Sequence, residues 1–176
     1  MSGILTDNTG RASGLLKAAS GGKIGQVLSM QLSSTVSATA TSLTDVAGLT
    51  LDITPTATSS KILMIYHIAL GSSAINYRMQ VGAMRDSTQI GVGDAAGSRA
   101  RTAFASHTAY SNTTNVVQGL TQCILDSPST TSATTYKVQV QIQSAATSYV
   151  NRMGEDTDDA NVGRGSSGIT LMEVLA

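Results

Sequence analysis

Tyr136-Lys137-Val138-Gln139-Val140-Gln141-Ile142-Gln143 decides the fold class. Apolar and polar residues alternate through it without a break. A period of two places Tyr136, Val138, Val140 and Ile142 on one side of an extended chain, with Lys137, Gln139, Gln141 and Gln143 on the other. A helix would scatter the same residues around its circumference. The stretch therefore predicts a strand with one face in a core and the other in water.

The same period continues on either side. Leu49, Leu51 and Ile53 alternate with Thr50 and Asp52. Residues 61–70 are apolar at both parities, the pattern of a central strand covered on both faces. Further strands are expected over 27–32, 77–84, 88–92, 116–125 and 169–175. Turn formers separate them: Thr54-Pro55, Gly71-Ser72-Ser73, Gly93-Asp94 and Asp126-Ser127-Pro128-Ser129. Many short strands, frequent turns and almost no helical periodicity predict an all-β, antiparallel β-sandwich or jelly-roll-like domain over residues 26–176. The first 25 residues differ. Glycines punctuate them, apolar residues come in two pairs (Ile4-Leu5 and Leu15-Leu16), and one short helix fits residues 11–19 between a cap at Asn8 or Thr9 and a stop at Gly21. Such a helix is too short to stand alone in water, which points to an arm that binds something else.

Composition narrows the function. Eleven basic residues balance eleven acidic ones in a chain of 176, so no charge excess exists to release counterions from nucleic acid. The longest apolar run, 62–70, contains His67 and is less than half of the ~20 residues a membrane span requires. The N-terminus lacks the basic start and long apolar core of a signal peptide. The single cysteine, Cys123, cannot form an internal disulfide and reads as a small buried hydrophobe. Expected, therefore, is a chain made in a reducing cytoplasm that needs no oxidation.

Serine and threonine supply 46 of the 176 residues, while only 12% are charged. Between Ile24 and Ser60 the charges are Asp45 and Asp52; between Thr102 and Tyr136 there is only Asp126. Solvated surfaces normally disperse charge, so such neutral stretches suit faces that pack against copies of the same chain.

Motifs for chemistry fail one by one. Gly91-Val92-Gly93-Asp94-Ala95-Ala96-Gly97 has the wrong spacing for a dinucleotide loop and no following helix, so it reads as a loop between strands. Glu155, Asp156, Asp158 and Asp159 form the one acidic cluster. Asp156 and Asp158 are weak calcium candidates, but Ala160 stands where a third alternate ligand belongs, and pairing with Arg152 and Arg164 in a solvated loop is the better reading. The two histidines, His67 and His107, have no nucleophile elbow or HExxH beside them, and the two glutamates, Glu155 and Glu173, are the only pair available for glycosidase chemistry. No catalytic residue and no cofactor is expected. Sugar binding needs an exposed aromatic platform, and Tyr110 with Asn112, or Tyr149 with Arg152, are the candidate host-contact positions.

Several segments together resemble small bacteriophage virion proteins of the short fibre, appendage and capsid decoration type, from phages of aquatic bacteria. They are Gly3-Ile4-Leu5-Thr6-Asp7-Asn8-Thr9-Gly10-Arg11-Ala12-Ser13-Gly14-Leu15, Lys23-Ile24-Gly25-Gln26-Val27-Leu28, Leu49-Thr50-Leu51-Asp52-Ile53-Thr54-Pro55, Thr58-Ser59-Ser60-Lys61-Ile62-Leu63-Met64, Asp126-Ser127-Pro128 with Ala133-Thr134-Thr135-Tyr136-Lys137-Val138, and Gly165-Ser166-Ser167-Gly168-Ile169-Thr170-Leu171-Met172-Glu173. The resemblance implies a non-enzymatic homotrimer in the virion, made in the host bacterial cytoplasm. Its arm would join other virion proteins (capsid, neck or tail) through Ile4, Leu5, Leu15 and Leu16. The chain departs from long fibres in having no repeat, heptads or collagen-like tract. Two rivals follow: a fibre tip that binds host surface glycan, and a hydrolase or metal-dependent enzyme using His67, His107 or the acidic cluster.

Overall fold

The computed structural model describes residues 23–107, 114–143 and 145–176. The arm residues Ile4, Leu5, Leu15 and Leu16, the helix expected at 11–19, and Tyr110 and Asn112 lie outside them. Among the described residues the chain is all β: β1 (Ile24–Leu32), β2 (Val36–Ala38), β3 (Thr44–Ile53), β4 (Lys61–Ser72), β5 (Arg78–Arg85), β6 (Thr88–Ile90), β7 (Phe104–His107), β8 (Gln118–Asp126), β9 (Thr134–Ile142), β10 (Ser148–Val150) and β11 (Ser167–Val174).

The long strands alternate between two antiparallel sheets. One runs β1-β11-β4-β8, with β10 and β2 continuing from the far end of β4; the other runs β3-β9-β5, whose last edge is shared by β7 and β6. The orders 1-11-4-8 and 3-9-5-7 are those of a jelly roll, two Greek keys wrapped into a sandwich. The period-two strand read from Tyr136 is β9, and its alternation is borne out: Tyr136, Val138, Val140 and Ile142 are buried while the residues between them are not. They meet Ile62, Met64, Tyr66, Ile68 and Leu70 of β4 and Ile169 and Leu171 of β11 in one continuous core.

Two expectations need correcting. Strand β4 does lie centrally, between β11 and β8, but over residues 61–70 only its even-numbered side is buried; Leu63 and Ile65 are partly exposed and His67 is exposed. The sandwich has two layers, so the second side of a central strand is the outside of the molecule. Cys123 sits on that same side of β8 and is exposed, not buried. Strands β2, β7 and β10, of three or four residues, were not anticipated, since so short a run carries no periodicity. The strand expected at 88–92 stops at Ile90. Gly91 takes a φ of 59° there, and a Cβ on it would lie 2.5 Å from Ile124 Cδ1, so the chain turns where only glycine fits.

Buried polar groups tie the strands at their ends. Asn151, fully buried at φ 66°, donates from Nδ2 to the carbonyls of Leu32 and Ser34 at 2.8 Å and accepts from Ser167 Oγ at 2.6 Å. At the opposite end of β11, buried Glu173 accepts from Thr56 N and Oγ1 at 2.6 and 2.7 Å and from Gln26 Nε2 at 2.9 Å. The same Gln26 amide donates to Thr54 O at 2.7 Å, so one carboxylate fastens β1, β11 and the β3–β4 turn together.

Candidate interaction surfaces

The two outer faces of the sandwich are chemically unlike. Outside β3, β9 and β5, polar side chains satisfy one another. Lys137 Nζ and Gln139 Nε2 donate to Asp45 at 2.7 and 2.6 Å, Thr135 Oγ1 donates to Asp52 at 2.6 Å, and Gln141 Nε2 donates to Gln80 Oε1 at 2.6 Å. The hydrogen bond from Lys137, and after it that from Gln139, holds the Asp45 carboxyl below its ordinary range. This is a solvated face.

Outside β1, β11, β4 and β8 the register aligns a different set. Val27 stands opposite Met172, Met172 opposite Leu63, and Leu63 opposite Leu125, making an apolar row across all four strands. Val27 and Leu125 are each 53% exposed. The next row runs Ser29, Thr170, Ile65 and Cys123, with the first two hydroxyls 2.9 Å apart. Among the described residues at outward positions of these strands, the ionisable side chains besides Cys123 are Lys61 and His67, and none is a carboxylate. The apolar character of residues 61–70 at both parities was the trace of this row, with Val27, Met172 and Leu125 its distant members.

The loop between β10 and β11 gathers the remaining candidates. Arg164 grips Asp156 with Nη2 at 2.8 Å from both carboxylate oxygens, and Arg152 Nε stands 3.9 Å from the same group. The Arg152 guanidinium lies 3.4 Å from the Tyr149 ring centre, a cation–π stack that covers this face of the ring against a sugar. Tyr149, Arg152 and Asp156 are thus brought together. Asp158 is exposed in the wall of an open depression of about 510 Å³ that Asp156, Asp159 and Arg164 also line. Among the described residues no three His, Cys, Asp or Glu side chains group as metal ligands. His67 and His107 belong to strands of different sheets. Sequence reasoning passed over Glu173 and Asn151, because a lone polar residue among strand residues carries no mark of what will face it.

Fold and surface together define an all-β jelly roll with one polar outer face and one outer face crossed by an apolar row. No family model matches the chain, and no curated protein matches it. Among solved structures, that of infectious bursal disease virus, Gx strain, is similar with a TM-score of 0.42 and 10% identity over 86% of this chain and 36% of that one. The VP2 subviral particle of infectious bursal disease virus is similar with a TM-score of 0.36 and 13% identity over 85% of this chain and 41% of that one. The chain spans little more than a third of the length of the first of these. No helix among the described residues is long and apolar enough to cross a membrane.

Proposed function

We propose that the chain is a non-enzymatic structural protein of a bacteriophage virion: a short homotrimeric fibre, appendage or head decoration protein, made in the host cytoplasm. The observation that carries this reading is the ordered set of motifs from Gly3 to Glu173 that resembles such proteins. The fold adds physical support. Among the described strands β1 and β8 end one sheet and β3 lies at one end of the other, and sheet edges of this kind are what a closed oligomer covers and an open monomer leaves to open-ended pairing.

The arm, residues 1–25, is the part that joins the particle, through Ile4, Leu5, Leu15 and Leu16, and residues 26–176 form the body, with β1 already starting at Ile24. Light scattering coupled to size exclusion tests the assembly: a native mass three times 18.0 kDa is expected, and a monomer at every concentration overturns the trimer. Deleting residues 1–23 tests the arm. The shortened protein is expected to keep its oligomeric mass and to be lost from particles; normal incorporation refutes the attachment assignment.

A further inference from the structure

An apolar row that crosses four strands offers a surface to a partner, and its dimensions say of what size. Three interstrand spacings give it a length of about 14 Å, and two rows cover on the order of 200–300 Å². That is well short of the roughly 800 Å² per partner that a stable interface between folded domains buries. The occupant is therefore a short segment, not a second domain face.

The chain supplies such a segment beside the row. Residues 1–22 join the sheet at Lys23, whose carbonyl accepts from Leu175 N at 2.7 Å, so they enter at the end of β1 from which Val27 and Met172 are reached first. Within them Ala12, Leu15, Leu16 and Ala19 fall at the i, i+3, i+4, i+7 spacing of one apolar helix stripe. A helix over 11–19 is about 14 Å long, equal to the width of the sheet, and cannot persist in water without a surface to lie on. The residues between Ala19 and Lys23 span up to about 14 Å when extended, enough for the helix to start beside β1 and lie across the other three strands.

We propose that in the free protein the segment 11–19 lies across the outer face of its own β1-β11-β4-β8 sheet, with Leu15 and Leu16 seated on Val27, Met172, Leu63 and Leu125. The interaction does not rest on the virion reading: it would hold for any role of the protein. It assigns the face a partner of defined chemistry, the protein's own paired leucines.

Cys123, the chain's single cysteine, reports on it, since its thiol stands beside Ile65 in the adjacent row. The experiment is the rate of maleimide labelling of the native full-length protein against that of the full-length Leu15→Ser/Leu16→Ser variant, each over a range of protein concentrations. Both leucines lie outside the described core, and circular dichroism checks that the variant keeps its strands. The expected result is labelling about tenfold slower in the parent, independent of concentration, with the rate rising equally in the variant and in Leu125→Ser, which alters the face instead of the arm. Equal rates in parent and both variants overturn the proposal. Protection that survives the leucine substitutions but disappears on dilution overturns it too, and gives the face to a second copy.

Discussion

Glu173 is a buried carboxylate that pairs with no cation among the described residues and is held by neutral donors, and its removal offers a stringent test of how the sandwich is fastened. Glu173→Ala deletes the acceptor of three hydrogen bonds and leaves Thr56 N, Thr56 Oγ1 and Gln26 Nε2 to find other partners. Hydrogen bonds to a charged group are worth about 1.5–3 kcal/mol each, and Thr56 can recover part of its loss from water, so the net cost is about 2–4 kcal/mol. With a urea slope near 2 kcal/mol per M for a domain of this size, the unfolding midpoint at neutral pH falls by about 1–2 M. Burial pushes the Glu173 pKa up, but the hydrogen bonds from Thr56 and Gln26 outweigh it and bring the group down to about 2. A folded-state pKa below the ordinary carboxylate value of about 4.3 stabilises the fold above that pH, and the contribution drains away as the pH falls from there toward 2. Glu173→Gln keeps the shape and abolishes the titration, so the stability gap between parent and variant should shrink over that window. A Glu173→Ala variant that loses under 1 kcal/mol, or a gap that stays constant down to pH 2, refutes the account.

Other expected outcomes follow from single contacts. Tyr136 donates its hydroxyl to Asp126 Oδ2 at 2.7 Å while Arg85 Nη1 holds the same carboxylate at 2.9 Å, so Tyr136→Phe should cost about 1–2 kcal/mol in urea unfolding; no loss would mean that water replaces the bond freely. Burial raises the pKa of Tyr66 to about 12, a folded-state value above that of an exposed phenol. Its contribution is complete below pH ~10 and lost as the pH rises toward 12, and near-ultraviolet titration should show Tyr66 ionising late, together with Tyr136, whose pKa burial and the bond to Asp126 also raise. Gly71→Ala would place a Cβ 2.3 Å from the Arg152 carbonyl oxygen, a backbone atom, so β4 and the chain after β10 must part at about 2–3 kcal/mol, read as a lowered midpoint. Lys137→Met removes an exposed ion pair with Asp45 and should change stability by less than about 0.5 kcal/mol; a larger loss would show the polar outer face to be structural.

What was legible in the sequence divides along the range of the forces involved. Period-two alternation is local, so β9 and the outer half of β3 could be read directly from Tyr136 to Ile142 and from Leu49 to Ile53. Residues 61–70 were apolar at both parities for two different reasons, core on one side and an outer apolar row on the other. A single strand cannot tell these apart, because burial on the second side depends on layers contributed elsewhere. The pairing of Asp156 with Arg164 followed from neighbouring charges in one loop. Glu173 and Asn151 were illegible because their partners, Gln26, Thr56, Leu32 and Ser34, lie more than 100 positions away and are individually unremarkable polar residues or carbonyls. The strands β7 and β10 exist because longer neighbours, β5 and β4, offer them an edge, and β2 because β10 in turn offers one, a cause absent from their own residues.

The position of β11 sets a timetable for folding. It fills the gap between β1 and β4, yet the ribosome delivers it after every other strand described, 140 positions behind Ser29 on β1. Until it emerges, both of its neighbours wait with bare backbone edges and half a core each, and no early pair can close that sheet. Domains dominated by such distant pairings fold in milliseconds to seconds, and the waiting species is the one that aggregates. Slower synthesis would lengthen that wait, so a lower growth temperature should improve recovery of soluble protein only through its effect on aggregation, and crowding of nascent chains on one messenger would place several open sheets side by side.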